Sequence, residues 1–368
     1  MSIESDLKRE GIEVTSIIDN AKVNSIAKEV STILTNSFPE HNFNSQELYI
    51  SLSQIPMYRA IVPKGFSEAN YLYKNSSIYF NENIPIKDLT TYAVHECIHY
   101  LQTRKDSWGN LLKLGLCDLT QFNVHGLGIN EAAVQYATSK ALNTPVDTVK
   151  YYGITFDTIS PNCYPLVCNL IGQMAYITGE YVLLDSTFNS TNDFKNTFIK
   201  KTSSATYLTL EKNFDKILKV EEDLIKSINK LENSETTNPS LNKHIASLKS
   251  SILSLFTETQ NLIITSYFEK AFIEITNLEE LENYRRKLYN FKPLLGILDG
   301  DNFYNTFYID MMIKLEARYN ELENGYSDLE ETSLVKVKTN TFLTLIQKLK
   351  KILFKSGAEY TKVDVNNK

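Results

Sequence analysis

The sequence predicts an α+β fold in two parts: residues 1–190 with a small, mostly antiparallel sheet and several helices, then a mainly α-helical domain over residues 191–368. Three observations carry this reading. Short Tyr- and Ile-rich runs separated by Pro, Gly, Asn and Ser cluster between residues 47 and 81, as strands joined by tight turns should. After Pro85 the apolar spacing changes to three and four, the mark of an amphipathic helix. Beyond residue 190 strand signals are sparse, and two long segments carry heptad-like rows.

Taken in order, Ile17, Ile18, Ala21, Ile26, Ala27, Val30, Ile33 and Leu34 predict a helix over 15–36. ELYISLS, MYRAIV, NYLYK and SIYFN then read as strands. A helix over 86–104 follows, with Leu89, Tyr92, Ala93, Val94, Ile98 and Leu101 as apolar positions and TRKDSWGN as its end. The Gly-rich turn HGLGIN leads into a helix over 130–142, and LVCNLIGQMAYITGEYVLLD continues as one helix from Pro165 to Asp185. In the second half Leu210, Phe214, Ile217, Leu224, Ile228 and Leu231 form one row, interrupted by Glu221, and Leu241, Ile245, Leu248, Ile252 and Leu255 form another. The polar connection NSETTNPSL folds them back, so 207–262 is expected to be an antiparallel helical hairpin. Leu218, Ile225 and Phe256 fall outside that seam and are expected to face the later helices, around 277–290, 301–323 and 335–355. Self-association through the hairpin is the alternative. The last helix is basic and amphipathic (KLKKILFK), and packing on its neighbours is preferred to a membrane face.

Composition narrows the partners. With 42% hydrophobic and 22% charged residues in 368, the chain has the make-up of a folded protein. A net charge of −6 gives no global attraction to phosphate backbones or anionic lipid, so no nucleic-acid partner is expected. MSIESDLKREGIEV lacks the apolar stretch of a secretory signal, and no run of about 18 apolar residues occurs. The expectation is a cytoplasmic protein without an integral membrane segment. Cys97, Cys117, Cys163 and Cys168 form no CxxC pair, so reduced core thiols are expected rather than a cysteine metal site.

The chemistry-bearing motif is His95-Glu96-Cys97-Ile98-His99, an HExxH on a predicted helix. Residues four apart differ by about 40° in azimuth, so both imidazoles leave one face close enough to share a metal ion. Glu96 lies about 100° round, outside the ligand set but within reach of a water on the metal. With five histidines in the chain, random placement yields an HExxH about 0.005 times in such a length. Zinc held by two histidines needs a third protein ligand. The pattern HExxHxxGxxH is excluded, because Gln102 and Lys105 stand at its Gly and third His. Glu131, in Gly128-Ile129-Asn130-Glu131-Ala132-Ala133, opens the next helix, which fixes its direction, and Ala132 and Ala133 would let that helix lie close to the HExxH helix. His125, in a loop, and Glu180, in TGEY, are the alternative ligands.

Together these residues resemble the gluzincins, the thermolysin-like clan of zinc metallopeptidases, in which a later Asn-Glu motif follows HExxH. The similarity covers about residues 76–142. It implies a zincin-like domain, Zn²⁺ as cofactor, His95, His99 and Glu131 as metal ligands, Glu96 as general base, Asn130 as partner of Glu131, and SSIYFNEN as the edge strand beside which a peptide or protein substrate binds. Two positions depart from the family pattern. Gln135 stands where the family has an aspartate orienting a zinc histidine; its carbonyl accepts the same hydrogen bond without adding charge. The family's downstream oxyanion histidine is missing, since His244 is the only histidine after His125. Tyr176 and Tyr181 are the candidate replacements, with Tyr151 and Tyr152 in the preceding loop. The expected activity is hydrolysis of peptide bonds by a metal-activated water. The competing readings are a partner-binding helical module on a degenerate metallopeptidase fold, and metal-dependent hydrolysis of a non-peptide amide.

Overall fold

Short capping sequences decide where the first helices begin. The computed structural model describes residues 3–324 except 10, 64–67, 121–122, 234–237 and 299. Helix α1 (Ile3–Arg9) and strand β1 (Glu13–Ile17) precede α2 (Asn20–Ser37). The helix expected over 15–36 starts five residues late, because the Asp19 side chain accepts from Lys22 N at 2.9 Å and caps it there. The residues before it pair with the next strand instead. ELYISLS is not a strand but part of α3 (Ser45–Leu52). Asn44 Oδ1 accepts from the amides of Gln46 and Glu47, and Leu48 and Leu52, one turn apart, are buried. A cap plus an i, i+4 apolar pair outweighs the strand preference of Tyr and Ile.

Strands β2 (Met57–Ile61), β3 (Ala69–Leu72) and β4 (Ser77–Asn81) complete a four-stranded sheet of order β1-β2-β4-β3. The outer pairings are antiparallel, but β2 and β4 run parallel. SIYFN, expected at the edge, is therefore an inner strand; the edge belongs to β3.

Helix α4 (Leu89–Gln102) carries the HExxH residues. Leu89, Ala93, Val94, Cys97 and Ile98 bury its other face among α2 residues such as Ile26, Val30 and Leu34 and the β4 residues Ile78 and Phe80. Two hairpins follow, β5 (Thr103–Lys105) with β6 (Leu111–Leu114) and β7 (Asp118–Thr120) with β8 (Asn123–His125). Then comes α5 (Leu127–Ala141). The loop that holds Tyr151 and Tyr152 is a hairpin, β9 (Asp147–Tyr151) and β10 (Ile154–Thr158), joined by β11 (Ile297–Leu298) from the far end of the chain.

The single helix expected from Pro165 to Asp185 is two, α6 (Pro165–Thr178) and α7 (Glu180–Asn189), broken at Gly179 with φ 103°. Next come α8 (Asp193–Lys201), α9 (Ser204–Glu232), α10 (Pro239–Ile273), α11 (Leu278–Phe291) and α12 (Phe303–Asn324). Asn213 Nδ2 donates to Glu258 Oε1 at 3.4 Å, and these residues are equally far from the connecting turn, so α9 and α10 are the antiparallel hairpin the two rows predict. Its other faces pack on α5, α6 and α8, and Phe256 stacks on Phe156 of β10 at 6.0 Å, not only on later helices. Met1–Tyr319 form one compact unit and Asn320–Lys368 a second; the helix expected over 335–355 lies outside the described residues. All four cysteines are free, and Cys97, Cys117 and Cys168 are buried. Among the described residues no helix is long and apolar enough to cross a membrane.

Candidate metal centre

Two packed helices bring the three expected ligands together. His95 and His99 stand one turn apart on α4, and Glu131 follows one turn into α5. The two Nε2 atoms are 3.0 Å apart. Glu131 Oε1 lies 3.3 Å from His99 Nε2, and Oε2 lies 3.4 Å from His95 Nε2. Donors about 2.0–2.1 Å from a tetrahedral ion are separated by about 3.3 Å, so the spacing suits a small cation. Among the described residues this is the one His, Cys, Asp or Glu group compact enough to hold a metal ion.

Gln135 fixes the tautomer of His95. Its Nε2 donates to Ser160 Oγ at 2.8 Å and Ser139 Oγ at 3.2 Å, which leaves Oε1 facing His95 Nδ1 at 3.0 Å. A carbonyl oxygen only accepts, so Nδ1 carries the proton and Nε2 presents a lone pair toward His99 and Glu131. The Gln102 side chain lies beside His99 and helps to raise its pKa, and Gln102 Oε1 accepts from Asn130 Nδ2 at 3.3 Å. Asn130 Oδ1 in turn accepts from Leu116 N at 3.0 Å. Gly115 makes this possible: its φ is 49°, and a Cβ there would lie 2.1 Å from Asn130 Oδ1. Asn130 thus links α5, α4 and the turn after β6, while Ala132 and Ala133 are fully buried.

The electrostatics of this cluster favour a positive charge at its centre. Burial disfavours protonated His99, but Glu131 and Glu96 outweigh that and raise its pKa to about 9. Burial likewise opposes ionised Glu131, yet His99 and His95 hold its carboxyl well below the usual carboxylate range. The carboxylate is therefore a permanent anion between two imidazoles, and either a proton or a metal cation completes the group.

Glu96 is buried beside the triad, and its Oε2 accepts from Tyr71 N on the edge strand β3 at 2.7 Å. Burial pushes its carboxyl upward, against the pull of His95 and His99.

The tyrosines divide differently from expectation. Tyr176 donates its hydroxyl to Lys287 O at 3.1 Å, and Tyr181 is exposed and stacks on His41 at 4.8 Å. Neither is brought to the triad. Glu180 accepts from Lys140 Nζ at 2.6 Å and from the Tyr136 hydroxyl, and His125 is exposed on β8; both lie outside the group. Tyr164 is the tyrosine found beside the triad, its ring centroid 6.5 Å from that of His95. It sits at the N-cap of α6 with φ 48°, a left-handed conformation that is costly for an aromatic residue. Its hydroxyl has no hydrogen bond among the described residues. Burial, then the nearby acids Glu131 and Glu96, raise its pKa well above the ordinary value, so it stays a proton donor. Nothing in the sequence but the adjacent Pro165, a helix starter, distinguished Tyr164 among 22 tyrosines.

Comparison with known proteins gives no match to a family model, a curated protein or a solved structure.

Proposed function

We propose that the chain is a zinc-dependent peptidase of the gluzincin type. The observation that carries the reading is the convergence of the His95, His99 and Glu131 donor atoms beside a buried Glu96. Two imidazoles and one carboxylate, three protein donors rather than four, form the donor set of a catalytic rather than a structural zinc site. Strand β3 lies at the edge of the sheet next to α4, which is where an extended peptide substrate would run.

Zinc in this group would supply the Lewis acid that polarises the scissile carbonyl and acidifies the attacking water. Glu96 accepts the water proton on Oε1, the oxygen not engaged by Tyr71, and passes it to the departing amine nitrogen. One C–O bond forms and the C–N bond breaks, with no covalent enzyme intermediate. Tyr164 donates its free hydroxyl to the carbonyl oxygen as negative charge develops there. Gln135 keeps His95 in the ligating tautomer throughout.

Metal analysis of the purified chain, followed by digestion of a peptide library with wild type and Glu96→Gln, tests this. Stoichiometric zinc in both, with cleavage reduced at least ~10²-fold in the variant, is expected. A zinc-loaded wild type that cleaves no peptide would return the helical partner-binding reading.

A further inference from the structure

The apolar row of α9 contains one acid. Leu210, Phe214, Ile217 and Leu224 are each fully buried, and Glu221, in the same row, is only 8% exposed. Glu221 has no hydrogen bond or ion pair among the described residues. Burial alone drives its pKa up to about 8. A leucine would fill the position at no electrostatic cost, whereas an isolated buried carboxylate is expensive unless something pairs with it.

Its location supplies the reason. Gly126 lies against Glu211, and Gly128 lies so close to α9 that a Cβ there would be 2.5 Å from the Phe214 carbonyl carbon. Helix α9 therefore passes the first turn of α5, the turn before Glu131, on its way to Glu221. Tyr151, Tyr152, Cys163 and Tyr164 all lie within reach of the Glu221 charge. Cys163 and Tyr164 also feel Glu131 and Glu96. Tyr164, whose ring lies beside His95, is thus within electrostatic reach of Glu221 as well as of Glu131 and Glu96.

We infer that Glu221 receives a positively charged group of the substrate, an ammonium or guanidinium, while the bond to be cut lies at His95, His99 and Glu131. The substrate class rests on the peptidase reading. A cation entering here gains a charge-assisted hydrogen bond to a carboxylate that lacks a partner. Two sources supply such a group in a peptide, a Lys or Arg side chain and a free amino terminus.

The test begins without turnover. Titration calorimetry on the zinc-loaded full chain compares benzylguanidinium with its neutral isostere benzylurea, in wild type and in Glu221→Gln, both first shown to melt cooperatively. The charged probe is expected to bind at least tenfold tighter in wild type and to lose that advantage in the variant. Equal binding of the two probes, or an advantage that survives Glu221→Gln, overturns the inference. Competition against benzylguanidinium by an N-acetylated lysine peptide and by a free-amino-terminal peptide without basic side chains identifies the source. If the guanidinium effect depends on Glu221 but no peptide is cleaved, the cation site stands and the peptidase reading falls. If peptides are cleaved with equal kcat/KM whether or not they carry a cation, the cation site falls and the peptidase reading stands.

Discussion

Asp215 of α9 accepts the backbone N–H of Gly128, in the first turn of α5, at 2.7 Å. Its second oxygen takes the N–H of Gly126 at 3.3 Å. An acid from the helical hairpin thus caps the helix that presents Glu131, with its charge at the positive end of the dipole.

Removing this cap should loosen fold and metal together. Asp215→Ala is expected to cost about 1–2 kcal/mol, the range of a lost N-cap, and to weaken zinc binding because Glu131 sits one turn on. Denaturant unfolding and a zinc titration on the same samples measure both effects. An unchanged zinc affinity would show that Glu131 is placed without the cap.

Gln135→Leu removes the acceptor for His95 Nδ1–H and should lower zinc affinity about 10–100-fold, the usual cost of losing such a partner. Gln135→Asp keeps the acceptor and adds charge, so its affinity should match or exceed that of wild type. Competition with a chelator of known strength ranks the three chains.

Tyr164→Phe should leave zinc occupancy intact and reduce kcat about 10²-fold, the scale of one lost oxyanion donor. Tyr176→Phe and Tyr181→Phe should keep wild-type kcat, since their side chains are engaged elsewhere. Steady-state kinetics on a peptide from the library digest separates them.

Glu221 makes stability fall as pH rises. Its folded pKa, about 8, lies above the unfolded value of about 4.3. Between the two the folded chain holds a proton that the unfolded chain releases, so the slope of unfolding free energy with pH is negative there. The loss across the window is on the order of a few kcal/mol. Burial raises the pKa of the neighbouring Tyr151, Tyr152, Cys163 and Tyr164, which adds no anion of theirs in that range. Glu221→Gln should therefore gain stability over wild type at about pH 8.5 and little at about pH 5, as read from Tm differences.

How far the sequence could be read depended on the range of the interactions. His95 and His99 converge as the motif spacing implied, because one turn of helix sets their separation, and Glu131 joins them as the resemblance implied. The α9–α10 hairpin was equally legible, since its apolar rows are local and long. Short elements were not: α3 hides in ELYISLS because its cap, Asn44, lies outside the apolar run, and β1 was absorbed into a helix whose start only Asp19 defines. The edge position of β3 rather than β4 depends on a parallel pairing between residues 21 positions apart in the chain, which alternation within either strand does not encode. Tyr164 and Glu221 were out of reach for the same reason. One owes its place to a single left-handed residue, and the other looked like a flaw in a heptad.

Cys97 and Ile98 occupy the two variable positions of the HExxH motif, and both are fully sealed in the core shared with α2 and β4. The motif is therefore two interleaved texts, one answerable to coordination chemistry and the other to the shape of the interior. A larger side chain at either inner position would turn α4 about its axis and swing both imidazoles as a rigid pair relative to Glu131. The vulnerability of the centre thus resides in the mutual alignment of two helices, and sequence drift in the interior is able to detune it while every ligand remains in place.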